Sequence, residues 1–229
     1  MRRVVLLTAA TAMMSFAVST CQAQPHVFVK HKGYDVIYNV ATKVPDGVCW
    51  LLVHDDYAGR SQLKSRHFKI DASLPPPRVK DSDYRASGYV RGHMCPAGDR
   101  DSRKELEKET YLLSNVCPMS IVANSGGWKL TEDTCRMMAS NGCELKISAG
   151  TLFMNRDTVR IGRHQVAVPH AFWKYAECMI HPDEHKVWLV ENNHMGIRCL
   201  AITKEELLFL LSNKPEFISF LRYRYQVKL

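Results

Sequence analysis

His93 lies in YVRGHMCPAGDR (residues 89–100), just after Arg91 and Gly92, where an ordinary strand would carry an apolar side chain. An imidazole with an unperturbed pKa of about 6.5 keeps a neutral nitrogen near physiological pH and can take a proton from water. A solitary histidine is more often a surface or core residue, so its context must decide. Asn124, Trp128, Glu132 and Arg136 supply one, because they fall at successive four-residue steps. On a helix that spacing drifts slowly, and the four form one slanting stripe. An apolar stripe would mean core. This one carries an amide oxygen, a carboxylate and a guanidinium, which suit a hard cation and an anionic ligand, though a solvated polar face with one buried tryptophan has the same pattern.

The elements that would position these residues can be read on either side. β-Branched and aromatic residues dominate from Val27 to Tyr38 and from Gly47 to His54, which predicts strands joined by the turn-forming VPDG. SLPPPRVKDSDYRASG (73–88) reads as a surface connection leading to Tyr89. SRKELEKETYLLSN (102–115) predicts a short amphipathic helix capped by its serine. GWKLTEDTCRMMASNG (127–142) predicts a second helix, ended by Asn-Gly. Strand-like runs follow at ELKISAGTLF, VRIGRHQVAVP, FWKYAECMI and HKVWLVEN, then the helix TKEELLFLLSN, whose Thr203 and Glu206 fit a capping box. The expected fold is one α+β domain, a mostly antiparallel sheet with helices inserted midway and at the end.

With 229 residues, 46% of them hydrophobic, the chain can bury a real core, and neither disorder nor a fibre fits. Residues 1–23 differ in kind: Arg2 and Arg3 precede an apolar run too short for a comfortable membrane span, followed by small residues suited to cleavage. We read 1–23 as an export signal and 24–229 as the working domain, secreted or periplasmic. Lipidation at Cys21 is the competing route, with Val-Ser-Thr a poor lipoprotein box. No integral membrane segment is expected in the mature chain. Removing 1–23 takes away two arginines and no acid, so the net charge drops from +8 to +6, a basic balance that suits polyanions or simple solubility. Of eight cysteines seven follow Cys21, enough for three disulfides with one thiol over, and no C-x-x-C pair suggests a zinc ribbon or redox site.

Three separated segments, YVRGHMCPAGDR, YLLSNVCPMSIVANSGGWKLTEDTCR and AVPHAFWKYAE, together resemble the successive signatures of the DNA/RNA non-specific endonucleases, a family with a ββα-metal (His-Me finger) site. The likeness spans roughly residues 60–210, and several motifs in the right order seldom arise by chance. It implies that His93 is the general base and Asn124 the one direct protein ligand of Mg²⁺, with Mn²⁺ able to substitute. Glu132 would hold the metal's water shell, and Arg136 would face the scissile phosphate. SRHFKID makes Arg66 a second phosphate-stabilising cation. Asn115 would order the loop beside the metal, with Arg91 and Trp128 in supporting or substrate-binding positions. The substrates implied are DNA and RNA, cut internally to leave 5′-phosphates, and related enzymes are often homodimers. Cys95 and Cys117, each within one of these segments, are candidates for a bridge.

Two positions depart from the family pattern: Val90 stands where an aspartate usually precedes Arg-Gly-His, and Met119 where glutamine usually follows the proline of the Ser-Asn motif. Val90 motivates the alternative of a catalytically impaired, exported nucleic-acid-binding module. The chemistry supports the residue roles on its own terms. Phosphodiester cleavage needs a positive centre to offset transition-state charge and a base to activate water. Mg²⁺ prefers hard oxygens and keeps several waters, which suits one amide oxygen with a carboxylate in its outer shell. No zinc finger, basic heptad or RNP-like motif is present to read bases, so contacts should be mainly to phosphate and sugar.

Overall fold

The computed structural model describes residues 26–57, 63–154 and 158–212. The expected export signal, Cys21 included, lies outside them. Seven strands, β1 (His26–Lys30), β2 (Asp35–Asn39), β3 (Val44–Leu52), β6 (Leu145–Leu152), β9 (Ala171–Cys178), β10 (His185–Glu191) and β11 (Cys199–Ala201), form one sheet in the order β1-β2-β3-β6-β9-β10-β11. Every pairing in it is antiparallel. Two small hairpins stand apart: β4 (Val90–His93) with β5 (Val116–Met119), and β7 (Arg160–Ile161) with β8 (Val166–Ala167). The helices are α1 (His54–Tyr57), α2 (Lys104–Thr110), α3 (Lys129–Ser140) and α4 (Lys204–Leu211). This is the α+β architecture expected.

Strand alternation divides the sheet's side chains between two cores. Val36, Trp50, Ile147, Phe172 and Trp188 face one cluster, which also takes Val116 from the β4–β5 hairpin, Trp128 from the turn before α3 and Cys135 from α3. Ile37, Trp173, Tyr175 and Val187 face the other, closed by Leu207 and Leu211 of α4. The site-bearing elements therefore sit on one face of the sheet and α4 on the other.

Several element boundaries differ from the sequence reading. Val27–Tyr38 is a hairpin, β1 and β2, and VPDG opens β3. The turn falls earlier, where the Asn39 side chain accepts hydrogen bonds from the backbone of Ala41 and Thr42 and Lys43 has φ of 60°. Pro45, which has no N–H, is accommodated opposite Tyr38 beside a register shift between Ile37 and Tyr38. The 102–115 helix is shorter than expected. It starts after Arg103, with no side-chain cap, and ends before Tyr111, where a bridge between Lys69 and Leu112 captures the backbone. VRIGRHQVAVP is split into β7 and β8 around Gly162 and Gln165, both at positive φ. The Thr203–Glu206 capping box forms on α4.

Cys95 and Cys117 do not bridge each other. The one disulfide among the described residues joins Cys143 to Cys178, at neighbouring ends of β6 and β9. The helices of the described residues are not long and apolar enough to cross a membrane.

Candidate active site

A hairpin followed by a helix builds the site. His93 ends β4 and pairs with Val116 of β5, and Met94 donates its N–H to the carbonyl of Asn115 (2.9 Å). Gly92 is required one residue earlier, because a Cβ there would lie 2.6 Å from the Met119 side chain. After β5 the chain enters a π-wound turn, Ala123–Trp128, and continues as α3. Trp128 ties the two halves together by donating its indole N–H to the carbonyl of His93 (2.9 Å).

His93, Asn124, Glu132 and Arg136 line a single cleft of about 300 Å³, together with Gly98 and Lys129. Trp128 does not join them. In π winding the hydrogen bond spans five residues, so four residues fall short of a turn, and Trp128 points into the core while Asn124 stays in the cleft. The stripe expected from four-residue spacing therefore holds for Asn124, Glu132 and Arg136, and Trp128 alone leaves it for the core.

The His93 ring packs between Phe68 (centroids 5.1 Å apart) and Tyr111 (5.0 Å, edge-on). Its Nε2 is enclosed without a hydrogen-bond partner. Burial pushes the imidazole pKa down to about 4, so the ring is neutral at physiological pH. The unfolded chain takes up this proton near pH 6.5 and the folded one near 4, so the stability His93 contributes is complete above pH 6.5 and is lost as pH falls towards 4. In chelator, denaturant titrations of wild type and His93→Gln should diverge over this range. Wild type should lose up to about 3 kcal/mol more than the variant; parallel pH profiles would contradict the burial assigned to this ring.

Arg136 is fixed on both sides. It donates to Asp99 (2.7 Å) and to Asp133 (2.8 Å), with Glu132 at 3.9 Å. Burial works against its charge, but Asp99, Asp133 and Glu132 more than offset this and raise its pKa. Asp99 is itself buried and accepts a second bond from the Trp50 indole (3.0 Å), which anchors the guanidinium to the sheet. Burial pushes the Glu132 carboxyl up to about 7; Lys174 and Arg136 pull it down, while Asp99 and Asp133 push it further up. The desolvated Glu132 carboxyl and the Asn124 amide, both lining the cleft, are hard oxygen donors, a set that fits a divalent cation such as Mg²⁺.

The remaining expected residues lie outside the cleft lining. Asn115 is buried beneath it, bonded to the backbone N–H and carbonyl of Cys95 and to the carbonyl of Thr110 (2.9 Å each). Arg91 pairs with Asp81 (2.6 Å) and lies over Phe68 and Tyr84. Arg66 is exposed, 4.0 Å from the buried Glu107. Val90 and Met119, the two departures from the family pattern, are direct cross-strand partners in the β4–β5 hairpin. An apolar pair thus stands where the family usually places two polar residues, and the change is local and mutually matched.

Residues missed in the sequence reading are Asp99, Lys174, Phe68 and Tyr111. All four sit in segments singled out for other residues, but nothing in local spacing links them to the site. Lys174 is buried with its ammonium 4.1 Å from the Trp128 ring centre, a cation–π contact directly under the helix.

Comparison with known proteins gives a consistent result. The model of the family described as DNA/RNA non-specific endonuclease matches residues 13–220. A nuclease of Nostoc sp. is 33% identical over 151 residues, covering 65% of this chain and 53% of its own length. Human mitochondrial endonuclease G is 30% identical over 156 residues, covering 62% and 52%. The chain spans about half the length of the curated relatives it matches. A crystal structure of an EndoG/EndoGI complex superposes with a TM-score of 0.71 at 24% identity, covering 82% of this chain and 86% of the matched one, which shows the shared fold.

Proposed function

Since the chain belongs to the DNA/RNA non-specific endonuclease family, we propose that it is an exported, Mg²⁺-dependent enzyme that hydrolyses internal phosphodiester bonds of DNA and RNA, with His93 as general base. The observation that carries this reading is the single cleft lined by His93, Asn124, Glu132 and Arg136. Asn124 would bind the cation through its amide oxygen and Glu132 through water. When bound, Mg²⁺ supplies positive charge for the phosphate and its transition state. Mn²⁺, another hard ion, can take its place.

His93 is held neutral by burial, and with Nε2 sealed, Nδ1 is the nitrogen left to accept the proton of the attacking water. Phe68 and Tyr111 fix the plane of the ring. Arg136, locked by Asp99 and Asp133, presents cationic donors to the phosphate oxygens at no cost in ordering the side chain. Arg66, exposed and only loosely paired, is a second cation that reaches the phosphate once substrate is present. Nothing in this set reads a base or a 2′-hydroxyl, which supports action on both DNA and RNA.

Purified residues 24–229 should nick plasmid and degrade RNA with Mg²⁺ and stop when chelator is added. Salt-sensitive binding of both polymers with no cleavage at any divalent metal would instead establish the impaired binding module that Val90 suggests.

A further inference from the structure

We propose that a separate lysine-lined cleft next to the catalytic one binds the phosphate backbone of the nucleic-acid strand on one side of the scissile bond. The inference rests on the nuclease reading above. The cleft encloses about 300 Å³ and is lined by Lys64, His67, Lys69, Lys104, Lys108 and Tyr111, with no carboxylate among its lining residues. All four lysines are exposed, and none takes part in an ion pair among the described residues. Four like charges around one hollow, unpaired among the described residues, repel one another, an arrangement that a polyanion reverses by displacing counterions from its own backbone.

The geometry ties this cleft to the catalytic centre. One segment, residues 64–69, serves both clefts. Phe68 faces His93 on one side, while Ser65, His67 and Lys69 face the lysine cleft on the other. The segment is pinned to the end of α2 by Lys69 N–H to the Tyr111 carbonyl (2.9 Å) and Leu113 N–H to the Lys69 carbonyl (2.8 Å). Lys104 and Lys108, one helical turn apart on α2, are thereby placed beside Lys69. Tyr111 belongs to both sites: it lines the lysine cleft and sits edge-on to His93 at 5.0 Å. A strand with its scissile phosphate at His93 passes one aromatic ring before reaching the lysines. Lysine, a flexible point charge, suits contact that ignores sequence.

The test is the salt dependence of binding. A labelled DNA single strand is titrated in chelator, and log Kd is followed against log salt by fluorescence anisotropy. The double variant Lys104→Ala/Lys108→Ala should have a slope shallower by about 1.4, at 0.7 per lost phosphate contact on a single strand. The charge-matched control Lys186→Ala/Lys204→Ala, on β10 and α4 rather than beside α2, should keep the wild-type slope. An unchanged slope in the first variant, or an equal fall in both, would overturn the proposal. Plasmid cleavage by wild type is scored separately, so a protein that cuts but shows no slope change loses only this cleft, whereas one that does not cut loses the nuclease reading.

Discussion

Replacing His93 with glutamine is expected to lower kcat on plasmid DNA by roughly 10²- to 10⁴-fold, the range for loss of a positioned general base. Glutamine comes near the ring in length and polarity and keeps the space between Phe68 and Tyr111 filled, but it has no nitrogen that can carry away a proton. The loss should fall on kcat, with Kd for DNA in chelator staying near wild type, because the residue acts only when water attacks. Alanine should be as inactive but less stable, since it leaves a void between two aromatic rings. The pH profile gives a second reading. Wild-type kcat/KM needs the neutral ring, and burial moves its pKa below 6.5 towards about 4, so the acid limb should lie below pH 6.5. At saturating Mg²⁺, where the bound cation would keep Glu132 ionised, activity is retained as pH falls through the ordinary histidine range and disappears only beneath it. A glutamine variant with full activity would leave the cleft without its base.

How far such a site can be read from sequence depends on whether its partners are local. Glu132 and Arg136 follow ordinary helical spacing and share the cleft as expected. Trp128 belongs to the same arithmetic, but the π turn ahead of it changes the phase, and no residue type announces that turn. Asp99 and Lys174 act on the site from a turn and a distant strand, and their roles arise only once the sheet places them beneath α3. The fold shows the same division. Antiparallel strands were legible from β-branched and aromatic runs, whereas VPDG looked like a turn because its residues favour one. Pairing with β2 overrode that preference, with an irregularity at Ile37 and Tyr38 absorbing the proline.

Replacing Asn124 with alanine should have the second large effect, and of a different kind. Among the described residues Asn124 takes part in no side-chain hydrogen bond; its backbone N–H is bonded to Ser120 (2.9 Å), and its amide is left to the cleft. Its loss removes the one direct protein oxygen assigned to the cation, so the Mg²⁺ concentration for half-maximal activity should rise by more than the 10- to 100-fold typical of losing an outer-shell partner. At fixed, moderate Mg²⁺ this is a near-complete loss of cleavage. Glu132→Gln supplies the contrast. It touches the ion only through water and should fall within that 10- to 100-fold range, with part of the activity recovered by raising Mg²⁺. The helix itself should survive both changes, since α3 is anchored by Trp128, Thr131 and Cys135 in the core rather than by the cleft residues. Isothermal titration of Mn²⁺ into each variant reads affinity without turnover. If Asn124→Ala bound the ion as tightly as wild type, the amide would not be the ligand. The π turn would then have another task, with Glu132 and Ser125 as the side-chain oxygen donors that remain in the cleft.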